Sequence, residues 1–95
     1  EGKPHILEEL AQVIQERKAS MPSDSYVAKL LKEGTDRVAQ KVIEEAGEAA
    51  IAAVKEDKNR LAAEVADLWF HSLVLLASRD VSPGEVWEEL RRRRR

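Results

Sequence analysis

Apolar residues recur along this chain at the three- and four-residue spacing of an α-helix, in five segments that short polar breaks separate. The pattern predicts helices over residues 6–19, 25–33, 35 or 36 to about 55, about 59 to 78, and 82 to at least 90. Ser23 or Asp24 is expected to cap the second helix, which closes at Gly34. The segment 82–85 combines a capping serine, a first-position proline and a capping-box glutamate. We therefore expect an all-α fold.

The predicted fourth helix is apolar around most of its circumference. A helix of this kind must be buried on most sides, and the other helices of one small chain would struggle to cover it. We therefore expect a second copy to complete the bundle, giving a homodimer. The argument depends above all on Leu68, Leu73, Val74 and Leu76. Gly47 and its neighbouring alanines on the preceding helix would allow close approach of helices there.

The length of 95 residues indicates a single domain, residues 1–95. The chain has no cysteine, so neither a disulfide framework nor a thiolate metal site is available. No segment has the pattern of a secretory signal, and the most apolar stretch, residues 73–77, is too short to cross a bilayer. These features predict a soluble protein and are compatible with the cytoplasm.

The charges are unevenly distributed along the chain. The formal net charge is −2, but five of the sixteen positive charges form the run Arg91 to Arg95, so the remainder carries −7. Such an acidic body argues against nucleic acid as the main partner. An acidic protein that acts on phosphates needs metal ions to bridge the two. Within the run, Arg91 is expected to be ordered and Arg93 to Arg95 to fray, because the helix dipole acts only near the last turn.

Two acidic clusters lie on the neighbouring third and fourth helices. Glu44, Glu45 and Glu48 fall within an arc of about 100° on the first helix. Glu64 and Asp67, three residues apart, share a face of the second. Like charges at this spacing repel, and Mg²⁺ is the simplest cation to offset that cost, because it takes oxygen ligands and is often shared with substrate phosphates. Each cluster alone is equally typical of a solvated helix face, and it is their pairing that favours a metal site.

Other polar residues allow a functional and a structural interpretation. His71 continues the line of Glu64 and Asp67, and would either border a site or be satisfied within the helix packing. Lys41 lies on the side of the first acidic cluster, where it would contact phosphate or form a salt bridge along the helix. Arg37 and Lys29 carry the same two interpretations.

Several chemistries lack their residues in this chain. It has no cysteine nucleophile, no serine in a nucleophile elbow and no phosphate-cradling loop of the P-loop type. A di-iron bundle would need Glu-x-x-His on its helices, whereas residues 64–67 read Glu-x-x-Asp. Redox di-iron chemistry is therefore disfavoured.

The order Glu-Glu-x-x-Glu at 44–48 and Glu-x-x-Asp at 64–67 resembles the MazG-like superfamily of all-α nucleotide pyrophosphohydrolases. Four segments resemble the phosphoribosyl-ATP pyrophosphohydrolase family more narrowly: residues 25–30, 37–46, 64–71 and 81–90. The resemblance covers nearly the whole chain. Val27, Ile43 and Phe70 depart from the family's usual residues, but none of these positions belongs to the carboxylate pattern.

This resemblance implies a MazG-like helical bundle, dimeric and cytoplasmic, that binds ATP-like nucleotides. The implied reaction is Mg²⁺-dependent hydrolysis of phosphoribosyl-ATP to phosphoribosyl-AMP and pyrophosphate, the second step of histidine biosynthesis. Metal and catalytic roles are expected for Glu44, Glu45, Glu48, Glu64 and Asp67, and substrate contacts for Lys41, Arg37, Tyr26, Lys29 and His71. Two alternatives stay open: a house-cleaning hydrolase of nucleoside triphosphates, and a dimeric helical interaction module without catalysis.

Overall fold

The computed structural model describes residues 5–94, which form five α-helices and contain no strand. The helices are α1 (Ile6–Ser20), α2 (Tyr26–Glu33), α3 (Thr35–Val54), α4 (Lys58–Ser78) and α5 (Pro83–Arg93). The predicted all-α class is confirmed, and each predicted boundary within the described residues lies close to the observed one.

Local polar contacts explain where the helices begin. Ser25, and not Ser23 or Asp24 as expected, caps α2, with its Oγ 3.1 Å from the backbone nitrogen of Ala28. Asp57 caps α4 in the same manner, and the expected capping box at the start of α5 is present. Gly34 joins α2 to α3 with φ of 103°, a conformation that side-chain-bearing residues rarely adopt, so glycine is required at this junction.

The helices α3 and α4 form the most extensive helix pair, and α1 and α2 pack across them. The core contains Ile14 of α1, Leu30 of α2, Val38 of α3, and Leu73 and Val74 of α4. By length and a mean hydropathy of 1.4, α4 would be long enough and apolar enough to cross a membrane. In this fold α4 contacts α1, α2 and α3 and contributes Leu73 and Val74 to the core, while 17% of its apolar window is buried.

The expectation that Leu73 and Val74 need a second copy to cover them is wrong, because both are buried within the chain. Short helices α1 and α2 reach the C-terminal half of α4, and this is the half that carries those two residues. The exposed apolar side chains lie on other parts of the surface. One exposed face is a groove between α1, α4 and α5 that includes Trp69 and Leu90.

A second exposed face follows α3 and is formed by Ile43, Ile51 and Val54 together with Gly47. A Cβ atom added to Gly47 would have no atom within 4 Å, apart from its own helix. Close packing within the described part of the chain therefore does not account for this glycine.

The terminal arginines continue α5 further than expected. Arg93 is helical, and its Nε lies 2.8 Å from Oε2 of Glu89, so the expectation that it frays is wrong. Arg91 pairs with Glu88 and Arg92 with Glu89, at the three-residue spacing that suits such pairs. These acidic partners, not the helix dipole alone, hold the last turn. Arg95 lies outside the described residues.

Candidate metal and phosphate site

The pairing of α3 with α4 brings carboxylates from both helices together. One carboxylate oxygen from each of Glu45, Glu48 and Glu64 lies within 4.8 Å of the other two. We call these three residues the acidic triad. Its members come from both predicted clusters, so the two acidic patterns in the sequence converge at one place. The prediction that the patterns face each other is thus consistent with the described geometry.

Two members of the triad carry buried oxygens without a hydrogen-bond partner. Glu45 is 7% exposed and the side chain of Glu64 is 13% exposed, and Oε1 of each accepts no hydrogen bond from residues 5–94. Burying an unpaired carboxylate oxygen is costly. The other oxygens are only partly compensated: Oε2 of Glu45 lies 3.5 Å from Nζ of Lys41, and Oε2 of Glu64 lies 3.5 Å from Nε of Arg60.

The surroundings of Glu64 favour its protonated form. A hydrogen bond with Glu48, which requires a proton on one of the two groups, raises the pKa of Glu64, and desolvation and the charge of Glu48 raise it further. The charge of Arg60 lowers the pKa of Glu64, but by less than the other effects raise it.

The remaining two predicted carboxylates lie outside this triad. Glu44 is exposed and interacts with its own helix: Nε2 of Gln40 donates to it over 3.3 Å, and Nζ of Lys41 lies 3.7 Å away. Asp67 is also exposed, one helical turn beyond Glu64 on α4. Both carboxylates are accessible from solvent at the margin of the triad.

Lys41 lies beside Glu45 of the triad, and its surroundings shift the pKa of its ammonium group. Its partial burial disfavours the ammonium, but the neighbouring Tyr26, Glu45 and Glu44 favour it more strongly, so the pKa of Lys41 is raised. The interpretation of Lys41 as a partner in salt bridges along its helix is confirmed, and its contact with phosphate stays a prediction.

His71 is buried, and both ring nitrogens have partners. Its Nε2 lies 2.9 Å from the hydroxyl oxygen of Tyr26, and its Nδ1 lies 2.8 Å from the backbone oxygen of Asp67. The ring of Phe70 packs edge-on against it at 5.0 Å. His71 is thus satisfied within the helix packing, and its role beside a substrate stays a prediction.

The other two predicted substrate contacts lie at the surface. Lys29 borders a groove of about 690 Å³ next to Tyr26, between the end of α1 and the first turns of α2. Arg37 lies 3.5 Å from a carboxylate oxygen of Glu33, one turn earlier in the chain, and is exposed. Neither side chain contacts the acidic triad in the interactions described here.

The sequence analysis missed Arg60, which contacts Glu64. Its position four residues before a glutamate was a usable signal, because residues at this spacing are neighbours on a helix surface. With Lys41, it places one cation beside each of the two helices that carry the triad. The arrangement offers several carboxylate oxygens to a hard cation and two positive side chains to an anion.

Comparison with known proteins gives a consistent result. Residues 7–94 match the family described as phosphoribosyl-ATP pyrophosphohydrolase. The chain is 48% identical over 88 residues to the phosphoribosyl-ATP pyrophosphatase of Neisseria gonorrhoeae, spanning 93% of this chain and 82% of that protein. It is 49% identical over 90 residues to the enzyme of that name from Nitrosospira multiformis, spanning 95% and 74%. For Trichlorobacter lovleyi the identity is 51% over 89 residues, spanning 94% and 82%. The resemblance seen in the sequence motifs is confirmed.

Proposed function

Since the chain belongs to the phosphoribosyl-ATP pyrophosphohydrolase family, we propose that it hydrolyses phosphoribosyl-ATP to phosphoribosyl-AMP and pyrophosphate. This is the second step of histidine biosynthesis, and the corresponding location is the cytoplasm. The observation that carries the proposal is the match over residues 7–94 to a family of this activity, together with the three convergent carboxylates that the match includes.

The cofactor of the proposed reaction is Mg²⁺. Glu45, Glu48 and Glu64 would hold it, since two of their buried oxygens have no other partner and hard oxygen donors suit this ion. Glu44 and Asp67 stand at the solvent side of the triad and would complete the coordination or act on the attacking water. When bound, Mg²⁺ supplies Lewis-acid stabilisation of phosphate charge and lowers the pKa of water.

The side chains of this protein have definable tasks in the proposed reaction. Lys41 keeps its charge at the edge of the triad and would bind a phosphate oxygen of the substrate. Tyr26 and Lys29 border a surface groove beside α2 and would contact the remainder of the nucleotide, with Arg37 one turn before Lys41 on α3. A carboxylate that keeps its charge would orient water in line with the phosphoric anhydride bond, and fixed positive groups would offset charge on the leaving pyrophosphate.

The decisive experiment incubates the purified protein with Mg²⁺ and either phosphoribosyl-ATP or a panel of ordinary and damaged nucleoside triphosphates. We expect release of pyrophosphate from phosphoribosyl-ATP with much the higher kcat/KM. A preference for free triphosphates would contradict the proposal and favour the house-cleaning alternative. Release of no pyrophosphate from any of them would favour the interaction module.

Metal binding is tested separately from turnover. We expect Mg²⁺ to raise the melting temperature of the protein, because a ligand that binds only the folded state stabilises it. Glu48→Gln should abolish this rise and the activity, whereas Glu16→Gln, an exposed glutamate on α1, serves as the matched control and should change neither. An equal Mg²⁺ response in Glu48→Gln would exclude the triad as the metal site.

The proposed active form is a homodimer that uses the groove between α1, α4 and α5. The groove has a volume of about 360 Å³ and is lined by Leu7, Trp69, Ser72, Leu73, Leu76, Val86, Trp87 and Leu90. Tryptophan and other large apolar side chains are enriched in the centres of protein interfaces. Light scattering should give twice the chain mass, and Trp69→Ser should shift it towards the monomer. A monomeric and fully active wild-type protein would refute the dimer.

A further inference from the structure

The hydrogen bonds of His71 define which of its nitrogens carries the proton. A backbone carbonyl oxygen only accepts, so the Nδ1 atom, 2.8 Å from the oxygen of Asp67, must be the donor. In the neutral ring Nε2 is then an acceptor, and the hydroxyl group of Tyr26, 2.9 Å away, donates to it. The ring is 5% exposed, so solvent does not compete for either nitrogen. His71 therefore has no free polar atom to offer a substrate.

Tyr26 lies between this buried histidine and the surface groove beside the start of α2. It is the first residue of α2, and its ring stacks on Phe70 with the centroids 6.1 Å apart. The residue is 48% exposed and borders the groove that also contains Lys29. Because its hydroxyl proton is directed at His71, the lone pairs of its oxygen remain available to other donors.

Two hydrogen bonds thus connect the backbone oxygen of Asp67 on α4, through His71, to the hydroxyl group of Tyr26. That hydroxyl belongs to a residue that borders the groove containing Lys29.

We propose that His71 is a positioning residue of the active site, which fixes the hydroxyl group of Tyr26 as an acceptor at the groove that contains Lys29 and does not contact substrate. The hydrogen bond to the Asp67 carbonyl sets the tautomer of His71, and the tautomer sets the direction of the Tyr26 proton. The lone pairs of the tyrosine oxygen are then left for a donor group of the substrate. This inference rests on the proposed function in one respect, namely that Tyr26 binds the substrate.

Two substitutions of His71 separate its two hydrogen bonds. The amide of asparagine reaches the position of Nδ1 and can still donate to the Asp67 carbonyl, but it does not reach Tyr26. The longer glutamine places its carbonyl oxygen near the position of Nε2, where it can accept from Tyr26, and gives up the bond to Asp67. Tyr26→Phe removes the hydroxyl group alone and keeps the ring that stacks on Phe70.

We expect His71→Asn and Tyr26→Phe each to raise KM for phosphoribosyl-ATP about three- to tenfold, as the loss of one neutral hydrogen bond would. The double variant Tyr26→Phe/His71→Asn should be no worse than either single variant, because both remove the same contact. His71→Gln should restore KM to about that of the wild type, although it loses a structural hydrogen bond. A purely structural role of His71 would leave the glutamine variant as impaired as the asparagine variant.

Three results would overturn the proposal. The first is a double variant whose KM increase equals the product of the single increases, which would show that His71 acts independently of Tyr26. The second is a glutamine variant as impaired as the asparagine variant. The third is a nitrogen NMR spectrum, recorded well above the usual histidine pKa, that assigns the ring proton to Nε2. The NMR result needs no substrate, so it tests the tautomer even if the proposed activity fails.

Discussion

Replacement of Val74 by alanine tests whether this chain buries its central helix by itself. Val74 lies on α4 and is 0% exposed, within a core that also contains Ile14, Leu30 and Val38. The substitution removes two carbon atoms, at about 0.8 kcal/mol each for burial. The cavity left behind adds about 24 cal/mol per Å³, or roughly 1 kcal/mol for a cavity of this size. We expect a total loss of about 2–3 kcal/mol.

The matched control is Val54→Ala. The substitution is the same and the residue is again helical, but Val54 is 81% exposed on α3. We expect its effect on the free energy of unfolding to stay within about 0.5 kcal/mol. Urea and thermal unfolding, followed by far-ultraviolet circular dichroism over a range of protein concentrations, measure both. For a domain of this size the Val74 variant should melt roughly 10–20 °C lower.

The comparison has two refuting outcomes. If Val74→Ala costs no more than Val54→Ala, the core does not lie where the structure places it. If Val54→Ala costs as much as Val74→Ala, and the loss grows with protein concentration, then α3 is covered by a second copy. The second outcome would move the proposed dimer interface from the groove of α4 and α5 to the exposed face of α3.

Three other parts of the structure give predictions for stability: a helical glycine, a surface ion pair and the acidic triad. Gly47→Ala should stabilise the protein by about 1 kcal/mol in thermal unfolding, since a Cβ there meets no atom within 4 Å outside its own helix; a loss would show close packing against another chain. Lys18 lowers the pKa of Asp80, so this pair contributes stability above the usual aspartate pKa and loses it as pH falls through the lowered value. Lys18→Met should therefore reduce the loss in the free energy of unfolding between neutral and acidic pH. An unchanged loss in this variant would contradict the role of the pair. The raised pKa of Glu64 has the opposite effect on the pH dependence of stability. In metal-free protein, the contribution of Glu64 to the free energy of unfolding is complete below the usual glutamate pKa. It is lost as pH rises through the pKa of Glu64 in the folded state. Glu64→Gln should flatten that decline in pH-dependent melting curves, and a steeper decline would refute the assignment.

The helices could be predicted closely because each is marked by local signals. The capping box at Ser82 and the glycine at position 34 act through neighbouring residues, so the sequence contains the whole interaction. The choice of Ser25 over Ser23 as a cap depends on backbone geometry in a short loop, which composition does not determine. The last turn of α5 is different, because Arg93 pairs with Glu89 at a four-residue spacing that the sequence does contain.

The sequence predicted that the two carboxylate patterns come together in the candidate site, but not which of the carboxylates are buried. Convergence of the two carboxylate patterns follows from two consecutive helices packing side by side, so periodicity alone indicated it. Which of the five carboxylates are buried could not be read from spacing, because burial depends on how α3 is rotated against α4. The partnership of Tyr26 and His71 spans 45 positions of sequence and depends on where α2 crosses the bundle. Contacts of this kind are set by tertiary packing and leave no local signal.

The arrangement of charges in the acidic triad supports the proposal that it binds a cation. Lys41 and Arg60 approach only one oxygen each of Glu45 and Glu64, leaving the second oxygen of both buried and unpaired. Apolar residues in these places would remove that cost, and the neighbouring positions of α3 and α4 show that the fold accepts them readily. The same carboxylates resist full ionisation together, because Glu48 raises the pKa of Glu64. A bound cation would pair with the unpaired oxygens and offset the repulsion among the three carboxylates, so a cluster that costs stability in the metal-free protein supports the proposed metal site.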